Sequence, residues 1–408
     1  MNFPEAIFAA LALLSLVLLL WQWLAARRFP LHRRVADSAF TPGVTLLKPL
    51  KGCDASTAAS LESWLRQDYA GPIQILFGVA DAADPVCPLV RELIGKNPGR
   101  DAQLVICAER LGANGKVSTL IPLERLARHD LILVSDADVR VPPDLIANIV
   151  APLRDKGGAG SPLPAASAIS DGAHGVTRPT SVSLASCFYR LANPANPAMQ
   201  CEAVAVNADF WSQVLQSATL KPLDFALGAV MLTRRTALAE IGGFTALANC
   251  LADDYQLGHR LARQGHRLAL CPVVVECWDA PTNWRGVWRH QLRWARTIRV
   301  CQPLPYFFSI LSNATLWPVL GLGASLVWSK TPWLPLLAAA VLLIRILLAQ
   351  NLQRRFTPGR WLVSPFWLVP VKDLLHTAVW AGAFLGNTVE WRGQKMRLRR
   401  EGTLVPRS

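Results

Sequence analysis

The sequence predicts an α/β domain with a largely parallel sheet, set between transmembrane helices. Strand and helix signals alternate from residue 36 to about residue 300, with no uninterrupted apolar run of spanning length among them. Apolar runs long enough to cross a bilayer lie on either side of that section. The composition agrees: 52% hydrophobic residues and 15 Trp in 408 residues is rich for a soluble enzyme and poor for a polytopic transporter.

The first apolar run is Ala6 to Ala25, with Trp21 and Trp23 near its end and Arg27, Arg28, Arg33 and Arg34 behind it. A secretory signal peptide carries its positive charge before the apolar run; here the charge comes after. Residues 1–35 are therefore expected to be an anchor whose C-terminal side faces the cytoplasm.

Residues 36–300 are expected to form one folded domain, on the cytoplasmic side. Val44-Thr-Leu-Leu47 is a short β-type run, and Leu61 to Gln67 is amphipathic with a helical period. Ile73 to Ala80 reads as a strand ending in Asp81, and Gln103 to Cys107 as another. Leu131-Ile-Leu-Val134 is an apolar strand ending in Ser135-Asp136. Ligands of parallel α/β sheets bind beyond the carboxyl ends of the strands. Asp81 and Asp136 fall at those ends.

Residues 301–391 are expected to form a C-terminal membrane region. Phe308 to Trp328 and Trp333 to Leu348 are long enough, or nearly so, to span, and only Ser329 to Pro332 separates them, which predicts a tight hairpin. Gln350 to Arg360 carries Arg354, Arg355 and Arg360, a cytoplasmic signature. Trp361 to Trp391 is interrupted by Pro365, Pro370, Lys372, Asp373 and His376, which favours a re-entrant or interfacial segment. Residues 392–408 read as a basic cytoplasmic tail. Its last residues, Leu404-Val-Pro-Arg-Ser408, resemble a protease-site remnant and are left out of the functional reading.

Lys and Arg outnumber Asp and Glu by 42 to 28. Much of the excess, including Lys395, Arg397, Arg399 and Arg400, flanks apolar segments, so it reads as anchoring on anionic lipid and not as a nucleic-acid surface. The nine Cys contain no C-x-x-C pair; they are expected to be reduced thiols in a cytosolic domain, neither a disulfide frame nor a zinc site. Ala-, Leu- and Arg-rich usage points to a bacterium, and hence to an inner membrane.

Four constellations carry candidate chemistry. Asp136-Ala-Asp138 can turn two carboxylates toward one cavity, where hard oxygens suit Mg²⁺ or Mn²⁺ on a diphosphate; alone it also fits a turn or a helix cap. In Leu251-Ala-Asp-Asp-Tyr255, one carboxylate could serve as a general base, or the pair could simply favour a helix N-terminus. His290-Gln-Leu-Arg293-Trp294 lies in a Trp- and Arg-rich stretch that fits either an interfacial helix or a site-closing one, with Arg293 suited to phosphate. Gly112-Ala-Asn-Gly-Lys116 is a turn-like loop that lacks the Walker A spacing, though a Lys near a helix start can contact phosphate.

The order and spacing of these pieces are more specific than any one of them. The chain resembles the ceramide glucosyltransferase family, a branch of the processive-type, inverting GT-A glycosyltransferases (families 2 and 21). The likeness runs through Leu47-Lys-Pro-Leu-Lys-Gly52, Asp54, Gln67-Asp-Tyr69, Gly78-Val-Ala-Asp81, Asp84-Pro85, Gly112 to Lys116 and Ser135 to Arg140. It continues through Gly228-Ala229, Ile241-Gly-Gly-Phe244, Ala252-Asp-Asp-Tyr255 and Arg293-Trp294, ending near Trp391-Arg-Gly393 and Arg397-Leu-Arg399. It is close over about residues 44–300 and loose over the membrane part.

The resemblance implies a GT-A domain plus transmembrane helices, a UDP-sugar donor and a membrane lipid acceptor. It implies that Lys48, Pro49, Asp81, Lys116 and Asp136 bind the donor, with Asp81 on the uracil or ribose. Asp136 and Asp138 would hold the divalent metal, Mg²⁺ or Mn²⁺, with Asp136 the firmer ligand. Asp254 would be the catalytic base, Arg293 and Trp294 would end the family's (Q/R)-x-x-R-W motif, and Gly228, Asp253 and His290 would shape the acceptor side or close the site. His290 departs from the motif, which has Gln or Arg there. Ser161 to Thr219 matches the family poorly and is expected to shape acceptor recognition.

The expected reaction is transfer of glucose from UDP-glucose to the primary hydroxyl of ceramide with inversion. The chain is also similar to hopanoid-modifying transferases, so the same chemistry on a hopanoid or diacylglycerol, with UDP-N-acetylglucosamine as a further donor, is the alternative. A non-catalytic membrane protein that binds sugar nucleotides is the reading from another class; the retained carboxylates argue against it. A polysaccharide synthase needs a translocation channel, for which two clear spans after the catalytic section are too few.

Overall fold

The computed structural model describes residues 3–154, 182–328, 333–357, 364–391 and 394–406. The expected hairpin turn Ser329 to Pro332, and the parts of the Ser161–Thr219 and Trp361–Trp391 expectations at 161–181 and 361–363, lie outside the described residues. So do Arg360, Arg392 and Gly393, and Arg407 and Ser408.

In chain order the elements are α1 (Phe3–Arg28), β1 (Val44–Leu50), α2 (Thr57–Leu65), β2 (Ile73–Val79), α3 (Val86–Lys96), β3 (Asp101–Ile106), α4 (Gly115–Leu126), β4 (Leu131–Ser135), β5 (Val139–Arg140) and α5 (Leu145–Val150). Next come β6 (Val182–Leu191), α6 (Pro197–Val204), a π-helical turn (Ala205–Phe210), α7 (Trp211–Leu220), β7 (Val230–Arg234), α8 (Arg235–Glu240), α9 (Asp253–Arg263) and β8 (Arg267–Cys277). The rest are α10 (Trp284–Cys301), α11 (Pro303–Phe308), α12 (Leu316–Trp328), α13 (Trp333–Phe356), α14 (Leu368–Ala383), β9 (Thr388–Trp391), β10 (Gln394–Leu398) and β11 (Leu404–Pro406). They divide into two compact units: one of residues 31–189 and 217–280, the other of residues 1–30, 190–216 and 281–408.

The first unit holds an eight-stranded sheet ordered β3-β2-β1-β4-β7-β6-β8-β5. Strands β3, β2, β1 and β4 are parallel, as the strand–helix alternation predicts. The other half departs from the expected parallel sheet: β7 runs antiparallel to β4, β6 to β7, and β5 to β8. The departure has a consequence for the site. An antiparallel neighbour brings its start to the end of the strand it joins. Val230 therefore pairs with Ser135, and Asp136 N–H donates to the Ala229 carbonyl at 3.2 Å. By the same logic Trp278 N–H reaches the Asp138 carbonyl at 3.1 Å.

β1 is buried along its whole length, as the centre of an α/β sheet must be. Pro49 lies past the end of the β1–β4 ladder, which stops at Leu47, and opposite Gly78 in the β1–β2 ladder. Helix α4 covers β1, β2 and β4 with Val117, Leu120, Ile121 and Leu123, all buried. Gly78 on β2 admits this close approach: a Cβ there would lie 2.7 Å from Leu123 and Thr119.

In the second unit, α1 and α13 are each long and apolar enough to cross a membrane, over Glu5–Arg28 and Trp333–Phe356. Leu19 of α1 and Val341 of α13 pack with Ala314, which lies just before α12. The run expected as one segment from Phe308 to Trp328 is bent by 53° between Pro303–Ser312 and Leu316–Val327. Asn313 explains the break: its side chain caps α12 by accepting from Thr315 N–H at 3.1 Å and Leu316 N–H at 2.9 Å, and Pro318 follows in the first turn.

Arg345 on α13, Lys372 and Asp373 on α14, and Asp209 on the π-helical turn form a buried cluster with two charges of each sign. Arg345 lies 2.8 Å from both Asp209 and Asp373. Within the expected basic tail, β10 and β11 pair with β9 as an antiparallel sheet ordered β11-β10-β9, in which Leu404 is buried.

Candidate active site

The site residues of the first unit gather where β1, β4, β7 and α9 end or begin. Lys116 is the centre. Its ammonium lies 2.7 Å from Asp136 Oδ1 and 3.0 Å from Asp253 Oδ2. One cation thus joins the strand-end tripeptide to the first turn of α9. Burial works against that charge, but Asp136 and Asp253 outweigh it and hold the ammonium well above the usual lysine range.

Local structure dictates the position of Lys116. Asn114 caps α4, its side chain accepting from Lys116 N–H at 2.9 Å and Val117 N–H at 3.2 Å. The same side chain donates to the Cys250 carbonyl at 2.7 Å, while Asn114 N–H donates to Ala248 at 2.8 Å. Gly112 lets the two loops touch; a Cβ there would sit 2.4 Å from the Ala248 carbonyl. The helix start and the loop before α9 are thereby fixed to each other.

Asp254 follows Asp253 in the first turn of α9 and lies against Gly228, where a Cβ would come within 2.6 Å of Asp254 Oδ2. Burial, and next the charge of Asp253, push the Asp254 carboxyl up to about 6. It therefore remains ionised near neutral pH yet basic enough to take a proton.

Asp138 is raised further, to about 7, by burial and then by the charges of Asp136 and Asp279. Repelling carboxylates of this kind are what a cation relieves, and hard oxygens suit Mg²⁺ or Mn²⁺. Asp136 and Asp138 therefore fit a divalent metal. Among the described residues no group of three or more His, Cys, Asp and Glu converges as a complete metal cage, so phosphate oxygens and water would complete the shell.

Lys48, which the resemblance assigns to the donor, lies beneath the D-A-D turn. It is wholly buried, and its ammonium donates to Ser135 Oγ at 3.1 Å, to the Asp136 carbonyl, and to the Val139 carbonyl at 3.4 Å, over the ring of Trp64. Burial lowers its pKa to about 7. It braces the backbone of the D-A-D turn from below. Asp81 is exposed past the end of β2, its carboxylate accepting from Ala83 N–H at 2.9 Å. Beside it, Asp84 accepts from Gly52 N–H at 3.0 Å through both oxygens, tying the loops after β1 and β2; Gly52 has φ +74°.

His290, Arg293 and Trp294 lie on α10 of the second unit. Buried Glu202 on α6 accepts from His290 Nδ1 and from Gln291 Nε2, both at 2.7 Å. Trp294 meets His290 edge-on at 4.8 Å between ring centroids and contacts Phe210 at 6.1 Å. Arg293 points elsewhere, into a pocket shared with β9 and β10.

Asn114, Glu202 and Asp279 also shape these surroundings, through a helix cap, a paired carboxylate and a nearby negative charge. A helix-start signal marks Asn114, which directly precedes the α4 run. Nothing local distinguishes Glu202, whose partners are 88 and 89 residues away.

The family model described as glycosyl transferase family 21 matches residues 7–176 and 166–404. Ceramide glucosyltransferase 3 of Caenorhabditis elegans is 22% identical over 396 residues, covering 94% of this chain and 78% of that protein. Ceramide glucosyltransferase 1 of the same organism is 33% identical over 121 residues, 30% of this chain and only 26% of that protein. A solved mannosyltransferase from Pyrobaculum calidifontis, in complex with GDP-Man and Mn²⁺, superposes with a TM-score of 0.53 at 22% identity, covering 94% of this chain and 99% of that one. That likeness concerns the fold.

Proposed function

The chain belongs to glycosyl transferase family 21 and is a membrane-associated glycosyltransferase, and from that premise we propose that it transfers glucose from UDP-glucose to the primary hydroxyl of ceramide with inversion. The bond from glucose C1 to the ceramide oxygen forms as the bond from C1 to the UDP oxygen breaks. The hydroxyl proton passes to Asp254, and UDP leaves.

The observation that carries the reading is the Lys116 link between Asp136 and Asp253. It sets the residues assigned to the donor diphosphate beside the carboxylate assigned as base. Asp254 at about 6 is matched to proton removal near neutral pH. Asp136 and Asp138 would hold the divalent metal, which supplies stabilisation of the charge on the departing diphosphate. Lys116 contributes a fixed positive charge to the same purpose. Asp81 is assigned to the uracil or ribose.

The catalytic unit is assigned to the cytoplasmic face, because Arg27, Arg28, Arg33 and Arg34 follow the first apolar helix. Ceramide reaches it laterally, its chains staying in the bilayer, since exposing them to water is costly. Purified protein with Mn²⁺ or Mg²⁺ tests this on a matrix of UDP-glucose and UDP-N-acetylglucosamine against ceramide, a hopanoid and diacylglycerol. Preferred glucosylation of ceramide supports the reading; preference for a non-sphingoid acceptor replaces it.

A further inference from the structure

Helix α10 carries Arg285, Arg289, Arg293, Arg296 and Arg299 at spacings of four, four, three and three, and no acidic residue at all. That spacing stacks the five guanidinium groups along one face. Arg289, Arg293 and Arg296 line a pocket of about 220 Å³ against β9 and β10, where Lys395 adds a further charge and Glu390 is the single acidic lining residue. Glu390 balances only part of this, lying 3.7 Å from Arg289.

We propose that this pocket binds the phosphate of an anionic membrane phospholipid, with Arg289, Arg296 and Lys395 as its main contacts. Three observations converge on that ligand. Arg296 donates to the Thr388 carbonyl, yet its Nε is buried with no partner among the described residues. Arg296 is also held below the usual arginine range, by burial and then by the neighbouring Arg299, as a cation short of counter-charge should be. Beside α10, α11 and the turn after α14 present an apolar surface: Leu304 is 70% exposed, Phe308 56% and Leu385 86%. Trp288 and Leu292 of α10 pack, with Trp380, against buried Ala295, Tyr306, Val379 and Ala383, and Arg299 stacks over Phe384 at 5.5 Å. Arginines beside exposed aromatic and aliphatic groups suit the headgroup level of an anionic bilayer, where a guanidinium meets phosphate through two donors.

The inference rests on the membrane-associated reading and not on the identity of the acceptor. Since Arg293 lines the pocket, a bound headgroup would also hold the helix that carries His290 and Trp294. The test is native mass spectrometry of the detergent-solubilised full chain with phosphatidylglycerol or phosphatidylcholine of matched acyl chains. A parallel titration measures UDP affinity. Wild-type protein should retain phosphatidylglycerol selectively, and R289Q/K395Q should lose that selectivity by about tenfold or more, with UDP affinity unchanged. Equal retention of both lipids by wild type overturns the proposal, as does selectivity that survives in the variant. A variant that loses UDP affinity also overturns it, for the pocket would then serve the donor diphosphate. Glucosyl transfer to ceramide, assayed separately, distinguishes failure here from failure of the acceptor reading.

Discussion

Gly228 has no side chain where Asp254 needs room: a Cβ on Gly228 would lie 2.6 Å from Asp254 Oδ2 and 3.1 Å from its Cγ. Gly228→Ala must therefore push the carboxylate aside. A displacement of about 1 Å at a reacting group costs up to about 100-fold in rate, so kcat should fall by tenfold to 100-fold with UDP affinity retained. Steady-state kinetics with a UDP-binding titration checks this; unchanged kcat would remove Asp254 from the chemistry.

Lys116 should be as sensitive, for a different reason. Lys116→Met removes the shared partner of Asp136 and Asp253 while keeping the length of the stem. The positive charge of Lys116 lowers the Asp254 pKa, so its loss must raise it. The expected result is a fall in kcat of about 100-fold, the scale of losing one fixed charge-stabilising group, with the acidic limb of the pH profile moved upward. A fall in rate with an unmoved limb would indicate that Lys116 does not sense Asp254.

The wild-type pH profile follows from Asp254 at about 6. A base must be ionised, so kcat/KM should fall about tenfold per pH unit below that value and level off above it. The same shift has a stability consequence of opposite sense. The folded state holds this proton more tightly than the unfolded chain, so stability is lost as pH rises from the usual carboxyl value of 3.8 through about 6. Asp254→Asn should abolish turnover and, at pH 7, stabilise the fold by about 1–3 kcal/mol. Thermal unfolding of both proteins at pH 7 gives the sign.

How much of this was legible in the sequence follows from the range of each interaction. The parallel strands β1 to β4 were readable because each is a short apolar run with local turn signals. Asp81 and Asp136 could be placed at strand ends for the same reason. The antiparallel half was not, since nothing local in Val230–Arg234 announces that β7 pairs with β4 and not with another strand. That pairing is what delivers Gly228 to the site. The setting of Lys48 left no local signal either, since the three backbone and hydroxyl acceptors around its ammonium are 87 to 91 residues away in sequence. The bend at Asn313 was hidden inside a run apolar enough to look continuous.

Arg345 shows the same limit in the second unit, where an arginine inside an apolar helix finds Asp209 and Asp373 far away in sequence. Arg345→Leu would leave two acids facing Lys372 alone, and removing one partner of a buried ion set costs about 3–5 kcal/mol. Lower melting temperature in detergent is expected, with partial recovery when Asp373→Asn is added. If the single substitution leaves the melting temperature unchanged, the cluster contributes nothing to the fold.

The most direct measurement is mass spectrometry, with anomeric assignment by nuclear magnetic resonance, of the lipid made by purified protein from UDP-glucose, Mn²⁺ and ceramide. The wild type should make β-glucosylceramide, and Asp254→Asn, whose Lys116 still pairs with Asp136 and Asp253, should make none. An α-linked product, turnover that survives in Asp254→Asn, or glucose transferred only to a non-sphingoid lipid would contradict it.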